Sequence, residues 1–461
     1  MTGYSSNDGA GNALQRLFVD STGVAYTSKK HMALIVQKFG GTSVGTLDAI
    51  RSVADKVLHW RAQGHDLVVV VSAMAGETNR LLEMAHAVHS APDPAELAVL
   101  LSTGEQAAAA LLCMELNRQG CPARSCMGWQ VSVTTDSRHD RANVEHVETS
   151  KLRSEISAGR VAVVAGFQGV DAAGRISILG RGGSDVTAVA LAAALEADEC
   201  QVYTDVDGVY TADPGIVEKA RCLPTISFEA MAELSSLGAG VLHSRSVTVA
   251  AKHGLRLRVL NSFREGEGTL VTCEELSGGK EKTNLESPVI SGIACSRDET
   301  EVVIRGIPET PDIVGLVLDA MDRAKLHAET VALTPSGEGI YDFSCTFPHS
   351  DYKQAMVLAR RLCLKLRAQG CEGREGLAKV SVVAMGLGSR AGIVSRLLQA
   401  LRQGNIKIRM LSSTQLRTSF VVETNQATRA VQLLHSACGL DRTKPPANGL
   451  QTGPVLQTDS V

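Results

Sequence analysis

The chain has 461 residues and 44% hydrophobic residues, enough for two or three domains that each bury a core. A formal net charge of −3 and an aromatic share of 3% speak against nucleic acid or an anionic membrane as the main partner, because neither a basic excess nor a stacking surface is supplied. The eleven cysteines include no C-x-x-C pair, and the closest two, Cys121 and Cys126, lack a second pair to complete a zinc site. Reduced thiols of a cytoplasmic protein are expected.

Residues 1–32 are polar, without a basic start followed by an apolar core; they are read as a disordered extension, with Met32 as an alternative start. No apolar run reaches membrane-spanning length, and the longest conspicuous one, residues 67–75, fits a buried strand. Residues 33–39 read as a first buried strand. Gly40-Gly-Thr-Ser-Val-Gly45 breaks it before a helix over 46–62. The order differs from a P-loop, since Lys38 precedes the glycines, and a tight turn with a solvated lysine is the plain alternative. A second strand over 66–72 ends in Ala73-Met-Ala-Gly-Glu-Thr78, and a helix follows to 88. Small residues again stand where open α/β sheets place ligands. Residues 94–118 read as a long Ala/Leu-rich helix interrupted by Ser102-Thr-Gly-Glu-Gln106, where a glycine is expected to allow a close approach.

Strands near 123–127 and 160–165 lead to a hairpin-like segment over 170–179 and then to Gly180-Arg-Gly-Gly-Ser-Asp185. The apolar run 186–197 after it reads as a helix. Two glycines before a Ser-Asp pair at a helix start gather backbone N–H groups at the positive end of the dipole, a place where anions bind. Arg181 adds a planar fork for carboxylate or phosphate. A strand over 199–203 runs into the carboxylate-rich loop Thr204-Asp-Val-Asp-Gly-Val-Tyr210, with Asp213-Pro214 beyond. Helices over 228–237 and 241–253 and a strand over 256–260 complete one α/β unit, 33–263, with a largely parallel sheet.

Residues 264–287 read as a linker. In 288–440 a roughly 70-residue βαββαβ pattern recurs, which fits two ferredoxin-like units. Residues 441–461 read as a disordered tail.

Lys38-Phe-Gly-Gly-Thr-Ser-Val44, Ser102-Thr-Gly-Glu105, Gly180-Arg-Gly-Gly-Ser-Asp185 and Tyr203-Thr-Asp-Val-Asp-Gly-Val-Tyr210, in this order, resemble the bacterial aspartokinases. The resemblance spans about residues 33–438 and implies an amino-acid-kinase domain, its mostly parallel sheet sandwiched by helices, followed by two regulatory ACT domains. The later ACT unit is completed by the strand just after the linker. The implied reaction is phosphorylation of the side-chain carboxylate of L-aspartate by ATP, the first step towards lysine, threonine and methionine. By resemblance, Lys38 with Gly40, Gly41 and Ser43 is the phosphate cradle, and Asp185 orients the lysine and the reacting groups. Glu105 reads the substrate ammonium and Arg181 clamps its α-carboxylate, with Thr78 and Ser184 nearby. Thr204, Asp205, Tyr210 and Asp213 form the nucleotide loop. Mg²⁺ is expected on the ATP phosphates without a dedicated protein site. A homo-oligomer and an amino-acid effector at the ACT domains are implied by resemblance.

Some positions depart from the family pattern. Gly215 and Gly240 stand where arginine and lysine are common near the nucleotide phosphates, with Lys219, Arg221 and Arg245 as candidate substitutes. Leu333, Gln415 and Asp312 replace a glutamine, a glutamate and a glycine of the regulatory half, so feedback by lysine or threonine is expected to be weak or altered. Two other readings stay open: a paralogous kinase of another small acid, and a catalytically weak regulatory subunit.

Overall fold

The computed structural model describes residues 17–19, 25–27, 32–273, 289–385 and 391–441. The expected extension, apart from a short hairpin of β1 (Leu17–Val19) and β2 (Ala25–Thr27), lies outside the described residues, as do most of the expected linker and the tail beyond Asp441. The first half continues through β3 (Leu34–Phe39), α1 (Leu47–Ala62), β4 (Asp66–Val71), α2 (Glu77–Val88), α3 (Pro94–Arg118), β5 (Ala123–Cys126), β6 (Val133–Thr135), β7 (Val144–Val147), α4 (Ser150–Ser157) and β8 (Val161–Ala165). It then runs through β9 (Gln168–Val170), β10 (Ile176–Ile178), α5 (Gly183–Leu195), β11 (Glu199–Thr204), β12 (Thr225–Ser227), α6 (Phe228–Ser236), α7 (Ser244–Lys252), β13 (Leu257–Asn261) and β14 (Thr269–Thr272).

The central sheet has eight strands in the order β12-β14-β13-β11-β3-β4-β8-β5. Every neighbouring pair is parallel except β13 with β14. Alternate residues of the buried strands serve opposite faces, as the strand period demands. Ile35, Leu67, Val69, Val71, Val161 and Val163 pack with α1 and α3, while Val36, Val68, Val70, Ala162 and Val164 pack with α5, α6 and α7. A second, four-stranded sheet, β10-β9-β6-β7, covers α5 from the other side. Its strands β6 and β7 and helix α4 escaped the sequence reading because segments of three to eight residues are too short to show a period. β14 falls inside the stretch read as linker; it belongs to the central sheet through β13 and β12.

The second half contains β15 (Val289–Pro308), α8 (Ile313–Arg323), β16 (Thr330–Gly337), β17 (Ile340–Pro348), α9 (Tyr352–Leu366), β18 (Gly370–Met385), α10 (Ala391–Gln403), β19 (Met410–Ser413), β20 (Arg417–Glu423) and α11 (Ala427–Ala437). One antiparallel sheet, β16-β17-β15-β18-β20-β19, carries them all. Read from the C-terminal half of β15, the strands of one βαββαβ unit stand 2-3-1-4; read from the C-terminal half of β18, the other unit has the same order reversed in space. The long strands β15 and β18 belong to both units, and the first half of β15 supplies the last strand of the second.

The two halves meet along residues 211–221. Ala212 and Val217 enter the apolar core under α10 and α11, the Ile293 N–H donates to the Thr211 carbonyl at 2.8 Å, and Gln432 on α11 donates to the Ile216 carbonyl at 3.0 Å. Arg417 of β20 pairs with Glu233 of α6 at 3.1 Å.

Helix α3 is continuous from Pro94 to Arg118, capped by Asp93, whose carboxylate accepts from the amides of Ala95 and Glu96. The expected interruption at 102–106 is absent, and Gly104 serves the close approach instead. The helix matches a membrane span in length and mean hydropathy, 1.5 over its most apolar window, contrary to the sequence reading, but half of that window is buried inside the protein; it is a core helix. A Cβ at Gly104 would stand 2.8 Å from the Ala73 Cβ, in the loop after β4. Alanine in a helix interior normally gains about 1 kcal/mol over glycine. Here Gly104→Ala is expected to lower stability by roughly 1–3 kcal/mol through overpacking, and Ala73→Gly in the same chain to recover most of it. Urea unfolding of both variants checks this; a single variant more stable than the parent refutes it.

Candidate active site

The central sheet delivers the ends of β11, β3, β4 and β8 to one edge, the position where parallel sheets open a crevice. The loops that follow are rich in glycine because backbone must pass close to backbone there. A Cβ at Gly41 would lie 3.0 Å from the Ala73 carbonyl oxygen, and one at Gly166 would lie 2.8 Å from the Ser184 hydroxyl. Two helices start at this edge, α2 after Gly76 and α5 after Gly182. Both glycines have left-handed φ, 82° and 69°, and no side chain caps either helix. Their first turns therefore face the crevice with uncapped amides and the positive end of the dipole.

Lys38, Gly41, Thr78, Glu105, Arg181, Ser184 and Asp185 line one cleft of about 460 Å³ with Ser72 to Gly76 and Phe167. The Lys38 ammonium, at the end of β3, stands 2.6 Å from Asp185 Oδ1 in the first turn of α5, both side chains being about one-tenth exposed. Glu105 is buried at 4% exposure, and its Oε2 has no hydrogen-bond partner among the described residues. Burial pushes its carboxyl up to about 7, against the pull of the Ala73 backbone amide. Arg181 is exposed and makes no hydrogen bond or ion pair among the described residues. The cleft thus holds an ion-paired lysine, a buried acid with an open oxygen and a free guanidinium. Such a set suits a small zwitterion beside a polyanion. A groove of similar size between α10 and β19 contains none of these residues.

The remaining candidates lie beside the cleft. The Gly40 amide donates to the Tyr203 carbonyl, and the Ser43 hydroxyl lies 2.5 Å from that of Ser262, whose amide donates to the Thr204 carbonyl. These bonds place the glycine loop against the end of β11. Thr204 donates to Asp205, and Tyr210 donates to Asp207, which also accepts from Asn261 at 2.6 Å. Asp213 is not brought to the cleft: its carboxylate caps the Gly215 amide at 2.8 Å, next to residues 216–217 that pack on α11. Of the candidate substitute cations, Arg221 donates to the Leu440 carbonyl, and Arg245 donates to the carbonyls of Leu179 and Ala142. Both are committed to holding backbone, so Lys219 alone of the three is exposed and unpaired among the described residues. No group of three or more His, Cys, Asp or Glu side chains among the described residues is placed to hold a metal ion.

Sequence reasoning missed Phe167, Ser262 and His243. Phe167 lines the cleft with φ of 70°, a conformation that costs a non-glycine residue about 1–3 kcal/mol; its amide donates to Thr187 and its carbonyl accepts from Leu179. His243 was read as helix interior, yet α7 begins at Ser244 and His243 is its cap.

Glu105 links the site to stability. Its folded pKa, about 7 against 4.5 in a model peptide, means that as pH rises from 4.5 to 7 the unfolded chain ionises while the folded one resists. The protein therefore loses stability across that window, by on the order of 3 kcal/mol. Without substrates, Glu105→Gln is expected to equal or fall below the parent at pH 5 and to exceed it at pH 8. Urea midpoints at the two pH values measure this, and a constant difference between the proteins refutes it.

Residues 33–261 match the amino acid kinase family, and residues 380–438 match the ACT domain. The aspartokinase of Pseudomonas aeruginosa is 48% identical over 89% of this chain and 98% of its own length. That of Helicobacter pylori is 37% identical over 89% of this chain and all of its own. Among solved structures, E. coli aspartokinase III in complex with aspartate and ADP superposes with a TM-score of 0.72 at 26% identity, covering 88% of this chain and 99% of that one. With relatives this similar over nearly their whole length, the chain belongs to the aspartokinase family.

Proposed function

We propose that this protein transfers the γ-phosphoryl group of ATP to the side-chain carboxylate of L-aspartate, giving 4-phospho-L-aspartate and ADP. The observation that carries the reading is the meeting in one cleft of the Lys38–Asp185 pair, the buried Glu105 and the unpaired Arg181, between two uncapped helix starts. A carboxylate oxygen of aspartate attacks the γ-phosphorus while the bond to the bridging oxygen of ADP breaks. No covalent protein intermediate is needed, so catalysis is alignment and charge neutralisation.

In this reading Lys38, with the Gly41 amide, neutralises the transferring phosphoryl oxygens; the Gly40 amide, bonded to the Tyr203 carbonyl, holds the loop in place, and Asp185 fixes the position of the ammonium. Glu105, ionised once a substrate ammonium replaces lost hydration, reads the amino group. Arg181 grips the α-carboxylate, with Thr78 and Ser184 at hand. Thr204, Asp205 and Tyr210 flank the nucleotide, joined to the cradle through Ser43 and Ser262. Mg²⁺ travels with ATP, which suits a cleft whose own carboxylates are few. Eleven free cysteines support a reducing cytoplasmic setting.

Acyl phosphate trapped with hydroxylamine is expected with aspartate and not with glutamate, malate or succinate. Lys38→Ala is expected to lose about 10²–10³ in kcat. A different preferred acid selects the paralogue reading, and no turnover with any acid selects the regulatory subunit.

The regulatory half supports a dimer and weak feedback. Edge strand β16 exposes Val331 and Leu333, and α8, the helix before it in the chain, exposes Val314 and Leu318, apolar side chains on which a second copy can add at the open edge. Asp312 caps α8 itself by accepting from the Gly315 amide at 2.9 Å, so its carboxylate fills the place an effector's carboxylate would take. Sedimentation should show at least a dimer that Val331→Lys dissociates. Millimolar lysine or threonine should change the rate by less than the roughly fivefold at the low end of allosteric coupling. A monomeric parent, or strong inhibition, refutes the respective statement.

A further inference from the structure

We infer that His243 and Arg245, at the start of α7, are positioning residues that set the 180–185 turn and act on the substrate through Arg181. The inference rests on the proposed role of Arg181 as the carboxylate clamp.

One backbone bond spans the turn itself, from the Gly183 amide to the Gly180 carbonyl at 2.9 Å, and no side chain of the turn adds to it at Arg181. Gly180 and Gly182 both lie in the left-handed region, α5 has no side-chain cap, and Arg181 between the two glycines has no partner among the described residues. Glycine leaves a backbone free to choose other conformations, so a clamp flanked by glycines depends on support from outside the turn as well. Three contacts supply it. The His243 side chain lies directly on Gly182: a Cβ there would come within 2.3 Å of the His243 Cβ and 2.4 Å of its Cγ. Arg245 grips the Leu179 carbonyl, one residue before the turn, at 2.6 Å, and ties it to Ala142 at 2.9 Å. Phe167 closes the far side, where a Cβ at Gly183 would meet its ring at 2.7 Å.

His243 is itself fixed. Its Nδ1 accepts from the Arg245 amide at 3.3 Å, which assigns the neutral ring a proton on Nε2. Burial and the charges of Arg245 and Arg181 hold the imidazole below its usual pKa range, opposed by Asp185. A neutral, half-buried ring on a glycine is a spacer: it limits how far Gly182 can move towards α7 and so limits the reach of Arg181. Displacements of about 1 Å in such a support can cost about 10²-fold in rate.

The test separates the spacer from the helix cap. Asparagine is a strong cap but too small to cover Gly182, so His243→Asn should keep the melting temperature close to the parent's. It should nevertheless raise the KM for aspartate about tenfold or more while the KM for ATP stays within about twofold. In the Arg181→Ala background the same change should add little, because residues acting through one another are non-additive. Arg245→Lys, which keeps the charge but loses the two-carbonyl grip, should repeat the aspartate effect. If Arg181→Ala alone leaves the aspartate KM unchanged, the clamp itself is wrong and this inference falls with it. If Arg181→Ala raises the KM but His243→Asn does not, or if the two effects simply add, only the positioning role is overturned.

Discussion

The contact on which the site depends is the ion pair between Lys38 and Asp185. It joins the end of a central strand to the start of the helix packed beneath it, and both partners are nearly sequestered from water. Desolvating two charges costs several kcal/mol each, so a pair of this kind adds little net stability. Removing one partner leaves the other charged and unpaired, which costs far more. The pair therefore acts as a geometric constraint, requiring the β3 end and the α5 start to keep one relation. Asp185 also sits where the helix dipole favours an anion, which holds the carboxylate in place when an anionic substrate draws on the lysine.

Around that pair the architecture works by close approach. Gly41, Gly104, Gly166, Gly182 and Gly183 each lie where a methyl group would strike a neighbour at or below about 3 Å. These contacts stack the loop after β3 on the loop after β4, that loop on α3, and the start of α5 between the Phe167 loop and α7. Each glycine removes volume from the layer between the sheet edge and the cleft. Glu105 can then reach the cleft from the middle of a core helix, where its carboxyl is largely desolvated and its pKa rises.

Much of this was legible in the sequence because the controlling signals are local. Buried parallel strands appear as continuous apolar runs such as residues 67–71, and glycine loops at their ends mark the crevice beside Lys38 and Arg181–Asp185; the roles of these residues, and any role for Glu105 in the middle of α3, came only from the family resemblance. The cleft unites residues 38, 78, 105 and 181–185, a convergence that sequence order hides. Other features were not legible, for definite reasons. β6 and β7 are held by pairing and not by pattern, and β16, an edge strand exposed along most of its length, has no buried face to impose alternation. The spacer role of His243 depends on a contact with a residue sixty-one positions earlier. Arg221 and Arg245 looked like spare cations because a sequence shows charge and not the carbonyls that claim it.

Asp213 carries the deeper correction. The motif that begins at Thr204 against the glycine loop continues, within ten residues, into the core of the second ACT unit. Thr211 accepts from the Arg221 amide and meets His435 of α11 at 3.0 Å, while Ala212 and Val217 are buried with Leu434 and Val431. One loop thus has its first half at the proposed nucleotide site and its second half as a structural part of the regulatory half. A shift of α11 cannot leave Thr211 in place without breaking a buried hydrogen bond and opening an apolar contact. Position 215, glycine here, lies on that shared loop. Its amide is held by the Asp213 carboxylate, and a Cβ there would meet no other residue within 4 Å, so the second half of the loop is set by the packing of Ala212 and Val217 on α11 and not by a side chain at 215.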